Sequence, residues 1–400
     1  MVKAVKRTIV GLLASVLLLA STSCDKEPPN GTQLDHQATA YYSMRNIFSE
    51  AKTRVLFVNS SVLQYYNKLE GEQYTFCFDP LCNHGILSGC IAHKFGMADT
   101  GIQTIEYCEY DNRFYALRGQ QFCSFAFDGS DLRIEHSFGE EGKFGNEGDL
   151  ESLFYSFGSV ANLEIKGNYA YLLAPDTKSG RQALMRFDVE KEKMETLFYD
   201  DEIRLRGYLI AGDFIYSMLI GEKCNGLYRS DLNFENLERI SDDPLLDITS
   251  GIFDWEKLYY YRMCMMKNEQ GKATRLMEAI VAYDVETGIE EDVVQFEEPV
   301  VANILAVAED YIYYTKKEAV SLGMSAISGE EEFNYYSRIY RVDKETKKTD
   351  TIFEDSSFEV SGLYFAEDIV LLSGQICKNA NKTVGVIAKS LDEQGFFVEK

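Results

Sequence analysis

The chain is expected to be all-β, a propeller of four-stranded antiparallel blades, on three observations. One unit recurs along it: apolar strand, acidic or glycine turn, aromatic strand, variable loop, alternating strand ending near an aspartate, turn, final strand. The recurrence is about 40–55 residues, an interval typical of blade repeats. Tyr (26) and Phe (25) supply nearly all of the aromatic content, and both favour pleated, half-buried strands. Radial repetition of such units leaves only short sheet edges exposed. Seven units are counted; six or eight blades, or a pair of β-sandwiches, are the alternatives.

The clearest unit is Ile304–Phe353. Its apolar strand meets the turn Glu309-Asp310, and Tyr311, Tyr313 and Tyr314 follow. Arg338–Val342 alternates, and a Lys/Glu/Thr turn leads to a strand ending at Phe353. The other units are Val55 to about His93, Ile102–Phe138, Leu163–Tyr199, Tyr208–Ile240, Ile252–Phe296 and Val360–Val398. Ala40–Arg45 is expected to give one strand to the last blade, with a short helix at Met44–Lys52 as the alternative. No other segment shows a sustained helical period outside the leader. The propeller is placed over residues 39–400.

Met1–Cys24 has a basic start (Lys3, Lys6, Arg7), an apolar run at Ile9–Ala20 and small residues before a cysteine, Ser21-Thr22-Ser23-Cys24. The apolar run is of secretory length and short for a membrane span. The segment resembles a bacterial lipoprotein signal peptide, with Ser21 standing where leucine is usual. The resemblance implies that Cys24 carries acyl chains such as palmitate and holds the body to a membrane outside the cytoplasm. An ordinary secretory leader cut near Ser23 is the alternative. Residues 25–38, polar with Pro28-Pro29, suit a tether.

The formal charge is −24, and loss of the basic leader lowers it further. Such a surface repels nucleic-acid phosphates and anionic headgroups, so no nucleic-acid partner is expected.

Leu227-Tyr228-Arg229-Ser230-Asp231, Ile339-Tyr340-Arg341-Val342-Asp343 and Met185-Arg186-Phe187-Asp188 share one pattern, and Asp128-Gly129-Ser130-Asp131 makes a related turn. These resemble TolB-like propeller repeats of bacterial lipoproteins. The resemblance implies the fold and leaves the activity open, since propellers host binding modules, scaffolds and enzymes.

Cys77, Cys82, His84 and Cys90 fall within fourteen residues. The Cys-x-Asp-Pro-x-Cys-x-His segment resembles one in some secreted clostridial lipoproteins. Three chemistries fit the residues. A disulfide suits an oxidising compartment, with Cys108 or Cys123 taking the odd thiol. A Cys3His zinc site suits the ligand types, at an uncommon spacing. Buried thiols acting as small hydrophobes are the third. All three make the cluster structural. Cys108, Cys123, Cys224, Cys264 and Cys377 lie in or near expected strands.

No hydrolase elbow, zincin helix or phosphate loop is present, and no catalytic residue is assigned. His36, His84, His93 and His136 all precede the third unit. Acidic pairs (Glu140-Glu141, Asp200-Asp201, Asp242-Asp243, Glu290-Glu291) read as solvated turns. A glycosidase would need two carboxylates facing each other across the channel. Phe138–Asp149 lacks the alternation of a calcium loop. Trp255, the single tryptophan, reads as packing. The sequence therefore favours a membrane-anchored module that binds a protein or glycan. Its longer loops, Pro175–Arg181, Met265–Thr274 and Ala319–Glu332, are the expected recognition surface. A propeller glycan hydrolase or lyase, or a purely structural envelope protein, are the alternatives.

Overall fold

The computed structural model describes residues 41–42, 48–59, 62–77, 81–83, 90, 92, 102–118, 121–138, 163–175, 182–222, 224–243, 246–254, 256–267, 273–324, 331–355, 357–366, 369–378, 381–391 and 397–398. Cys24, His36, His84, His93, Trp255 and the Gly/Glu stretch after Phe138 lie outside them. The described strands form seven antiparallel sheets, six of four strands and one of five. The architecture is the expected seven-bladed propeller.

Blade one is Ser49–Ala51, Arg54–Asn59, Val62–Asn67 and Glu72–Thr75; blade two is Ile102–Cys108, Arg113–Arg118, Gln121–Ala126 and Arg133–Ser137. Blade three is Leu163–Lys166, Tyr169–Pro175, Gln182–Asp188 and Lys193–Phe198; blade four is Arg204–Ala211, Phe214–Ile220, Gly226–Asp231 and Glu238–Ser241. Blade five is Leu246–Phe253, Lys257–Lys267, Ala273–Asp284 and Glu290–Val300; blade six is Ala302–Val307, Tyr311–Met324, Glu331–Asp343 and Thr349–Asp355. Blade seven is Phe358–Ala366, Ile369–Lys378, Asn381–Leu391 and Phe397–Val398. First strands touch between blades one and two, two and three, four and five, five and six, and six and seven, which places them at the centre.

Two boundaries differ from expectation. Blade one begins at Ser49, not Val55, so a helix across Met44–Lys52 does not hold over its last residues. Its outer strand ends at Thr75, so the cysteine segment belongs to the connection into blade two. The chain start does supply a strand, Tyr41–Tyr42, but to blade six rather than the last blade. Tyr41 pairs with Val307 and Tyr42 with Ala306. Blade seven has its own outer strand, Phe397–Val398, so no outer strand is missing there, and Tyr41–Tyr42 adds to an inner edge instead, that of blade six.

The core is not one mass but seven seams. An apolar cluster lies between each successive pair of blades: one and two, two and three, three and four, four and five, five and six, six and seven. The seventh joins Phe48, Val55, Phe57 and Tyr66 of blade one to Tyr364, Ala366, Leu371 and Val386 of blade seven. Because each sheet is sandwiched, its strands are apolar on both faces, and the period-two tyrosines fill both.

The recurrent aspartate has a structural cause. After the third strand of blade five, Asp284 Oδ1 accepts from Glu286 N (3.1 Å) and Thr287 N (2.8 Å). Asp188 does the same for Glu190 and Lys191, and Asp343 for Glu345 and Thr346. Asp231 accepts from Asn233 and Glu235, and Asp128 from Ser130. These are side-chain turns that spare the backbone donors from water. The N–H donors, that of Thr287 first, hold the Asp284 carboxyl below its ordinary range.

The Tyr-Arg-x-Asp pattern is structural as well. Arg186 pairs with Glu195 at 2.7 Å and lies over Tyr169 at 4.6 Å. Arg229 pairs with Glu238 at 2.5 Å and lies over Phe214 at 4.9 Å. Arg341 pairs with Asp350 at 3.6 Å and lies over Tyr311 at 4.6 Å. In each case a third-strand arginine ties the second strand to the fourth, combining ion pairing with cation–π contact.

Two outcomes are expected. Phe57→Ala, emptying the closing seam, should cost about 3–5 kcal/mol in urea unfolding. Asp284→Asn should keep most of the urea midpoint, since an amide oxygen still accepts, and Asp284→Ala should not. The depressed carboxyl adds stability that is present above the unfolded value and lost as pH falls through the folded one. The difference between wild type and Asp284→Ala should therefore shrink in acid.

Candidate functional site

Alternation of strand direction sorts the loops onto two faces. Within a blade the chain reverses at each turn, and the outer strand ends on the face where the next inner strand begins. The second-to-third-strand hairpins and the inter-blade connections therefore share one face. The expected recognition loops are all second-to-third-strand hairpins, so they fall on this face together. Their described ends are strand, however, not loop. Pro175 closes Tyr169–Pro175, Met265 and Met266 lie within Lys257–Lys267, and Ala319 lies within Tyr311–Met324.

Central strands of 11 and 12 residues in blade five, and 14 and 13 in blade six, compare with 6 and 6 in blade one. At ~3.3 Å per residue, the added length carries their tips roughly 15–25 Å farther out. Met265 and Met266 are 50% and 48% exposed. Consecutive strand residues point to opposite faces, so the blade-five ribbon stands clear of its neighbours on both sides.

The same face carries the connection leaving blade one. Cys77, Cys82 and Cys90 bring their sulfurs within 4.8 Å of one another, close enough to hold a metal ion. Cys77 follows Phe76, which is fully buried and packs edge-on against Phe114 (6.1 Å) and Phe125 (5.8 Å). Gly129 presses on that ring: a Cβ there would lie 2.8 Å from it, and the residue has φ +79. Cys90 and Ala92 are buried at the other end. His84 lies outside the described residues. Neither reserve cysteine joins the cluster as its odd partner. Cys108 is an unpaired thiol at the seam between blades two and three, 3.7 Å from the Gly167 carbonyl, and burial pushes it up to about 11. The Cys123 thiol donates to the Ala116 carbonyl at 3.5 Å in the seam between blades one and two.

Two further residues stand out only in the structure. Glu106 and Glu164 sit on the innermost strands of blades two and three, each two residues before the strand's end. Both are half-buried by area, yet crowded enough that burial pushes Glu106 up to about 8. Burial also raises Glu164 well above the carboxylate range, and the nearby charge of Glu106 adds to it. Their place on the innermost strands sets both carboxyls at the centre of the ring. The Glu164 oxygens accept from Ile210 N of blade four at 3.0 and 3.1 Å. Farther round, Arg206 and Asp247 pair at 2.9 Å between the inner strands of blades four and five. The sequence signal was a single acid flanked by apolar residues at one register, Ile105-Glu106-Tyr107 and Leu163-Glu164-Ile165. His136, the one described histidine, packs on Phe138 at 4.8 Å, and burial lowers its pKa.

No protein-family model matches the chain, and no curated protein matches it. Solved structures do. An oligogalacturonate lyase from Vibrio parahaemolyticus aligns with TM-score 0.51 at 12% identity, over 91% of this chain and 93% of its own. The Niastella koreensis GH74 enzyme aligns with TM-score 0.52 at 8% identity, over 88% of this chain and 53% of that one. TolB from Acinetobacter baumannii is similar over 74% of this chain and 67% of its own, at 15% identity and TM-score 0.37. At such identities the lyase and GH74 likenesses speak for the fold alone.

Glu106 gives a pH test. A carboxyl whose folded pKa is raised binds its proton more tightly in the native state, so stability falls as pH rises from about 4.5 to about 8. Glu106→Gln should flatten that slope in urea midpoints measured across the window.

Proposed function

We propose that the protein is a binding module of a bacterial cell envelope, held to a membrane by lipid on Cys24, that engages a protein or glycan through its long-hairpin face. The observation that carries this is the convergence of the blade-three, blade-five and blade-six hairpins on one face, with Met265 and Met266 exposed at a protruding ribbon. Protruding loops on a rigid scaffold are where recognition residues concentrate. Methionine at such a position adapts to varied partners. A zinc ion or a disulfide at the cysteine triad would have a structural part here, tying down the connection that borders this face.

A second reading has its own observation. Glu106 and Glu164 are two neighbouring carboxyls with raised pKa values at the channel, as acid–base work on a glycan requires of at least one group. The fold's lyase and GH74 likenesses leave room for such a role.

The readings separate by experiment. The full-length protein is screened for binding on a glycan array and against a random peptide display library. A Met265→Ser/Met266→Ser variant should lose the captured ligand at least tenfold while keeping its melting temperature. Glu106→Gln/Glu164→Gln should leave that binding intact. If the channel variant alone loses interaction, and wild type shortens the bound oligosaccharide, the module reading falls to the enzyme one. Cys24→Ser should shift the protein from the membrane fraction to the soluble fraction.

A further inference from the structure

We propose that Cys77, Cys82 and Cys90 form a thiolate site for a closed-shell, borderline-soft divalent metal ion, zinc first. The inference rests on the geometry of the connection between blades one and two and not on the ligand-binding reading.

The first ground is convergence. All three sulfurs lie within 4.8 Å of one another. A disulfide joins two sulfurs and gives the third no reason to be there. A tetrahedral zinc with bonds of about 2.3 Å sets its sulfurs roughly 3.8 Å apart. The three therefore reach metal geometry by a small contraction.

The second ground is that the ligands at both ends are held by packing. Cys77 is placed by Phe76, whose backbone N–H donates to Leu63 O at 2.9 Å and whose ring is locked in the seam between blades one and two. Cys90 is itself 4% exposed. Cys82 then closes the set from the intervening turn, next to Leu81, which is 92% exposed. Metal sites gain from ligands fixed before binding. An oxygen or nitrogen donor would complete the tetrahedron.

The third ground is chemistry. Thiolate sulfur suits a borderline-soft, closed-shell cation. On binding zinc, three S–H protons pass to solvent, three S–Zn bonds form, and no electrons move. A disulfide would instead hand two electrons and two protons to an oxidant. Hard cations are disfavoured, since they prefer oxygen ligands.

The test uses the full-length protein purified without reductant or chelator. Metal is measured by plasma mass spectrometry and thiols by alkylation and intact mass. Expected are about one zinc per chain and three cysteines that alkylate only after a chelator is added. If the protein emerges without metal, it is reduced and titrated with Co2+. Thiolate-to-cobalt absorption at one equivalent supports the site. Failure to bind overturns it, as does a purified protein without metal whose triad holds a disulfide that returns on re-oxidation in the presence of zinc. Cys82→Ser, at the half-buried position, should abolish retention without unfolding the propeller, and Cys264→Ser should leave it unchanged. Retention should also weaken as pH falls and protons compete for the sulfurs.

Discussion

Every blade depends on the blade beside it. A lone four-stranded sheet from this chain would show apolar residues on both faces, and water would penalise both. Packing face against face around a ring removes that penalty seven times, and the seventh seam must join the first blade to the last. The seams explain why tyrosine dominates the strands. Its ring fills the wedge between blades, and its hydroxyl can still find a polar partner there, as the fully buried Tyr208 does in donating to the Tyr171 carbonyl at 2.7 Å. They also explain why the recurrent charged motifs are structural. Arg186, Arg229 and Arg341 each hold strands of one blade in register at its rim.

Much of this was legible in the sequence, because the repeat is written in local chemistry. Each blade-ending aspartate marks a turn whose hydrogen bonds span two or three residues, so its meaning needs no distant partner. The arginine pattern is similar, with its acid nine residues on in Arg186–Glu195, Arg229–Glu238 and Arg341–Asp350. What the sequence concealed depends on distance. Met265–Thr274 and Ala319–Glu332 read as loops because their polar, Gly-containing residues resemble loop composition. In the structure the described ends of both stretches are extended ribbon, Met265–Lys267 pairing with Ala273–Arg275 and Ala319–Met324 with Glu331–Tyr335. The first strand was assigned to the wrong blade because a two-residue segment carries no preference between one open edge and another.

The candidate site shows the same division. Cysteine spacing singled out Cys77, Cys82 and Cys90, but their meeting is set by residues elsewhere, chiefly Phe76 locked beneath Gly129 of the next blade. Glu106 and Glu164 went unnoticed among many acids, because only the ring makes them neighbours. A carboxylate on an outer turn is solvated and ordinary. At the innermost strand the same group is desolvated, and its proton becomes part of the balance between folded and unfolded chain. Position in the ring, more than residue type, sorts this protein's many acids into surface charge and channel chemistry.

The closing seam carries one more implication. No described strand joins the sheet of the last blade to that of the first, so this seam is closed by side-chain packing, while Tyr41–Tyr42 just ahead of blade one is paired to blade six. Blade order is then a cyclic property and the chain's starting point an accident of where the circle is cut. A permuted protein, with its old ends linked and new ends opened at another inter-blade connection, would bury the same seven surfaces. The native joint is also the one seam that no inter-blade connection of the chain spans, and a pull that spread blades one and seven would strip Tyr41–Tyr42 from Ala306 and Val307 of blade six as well.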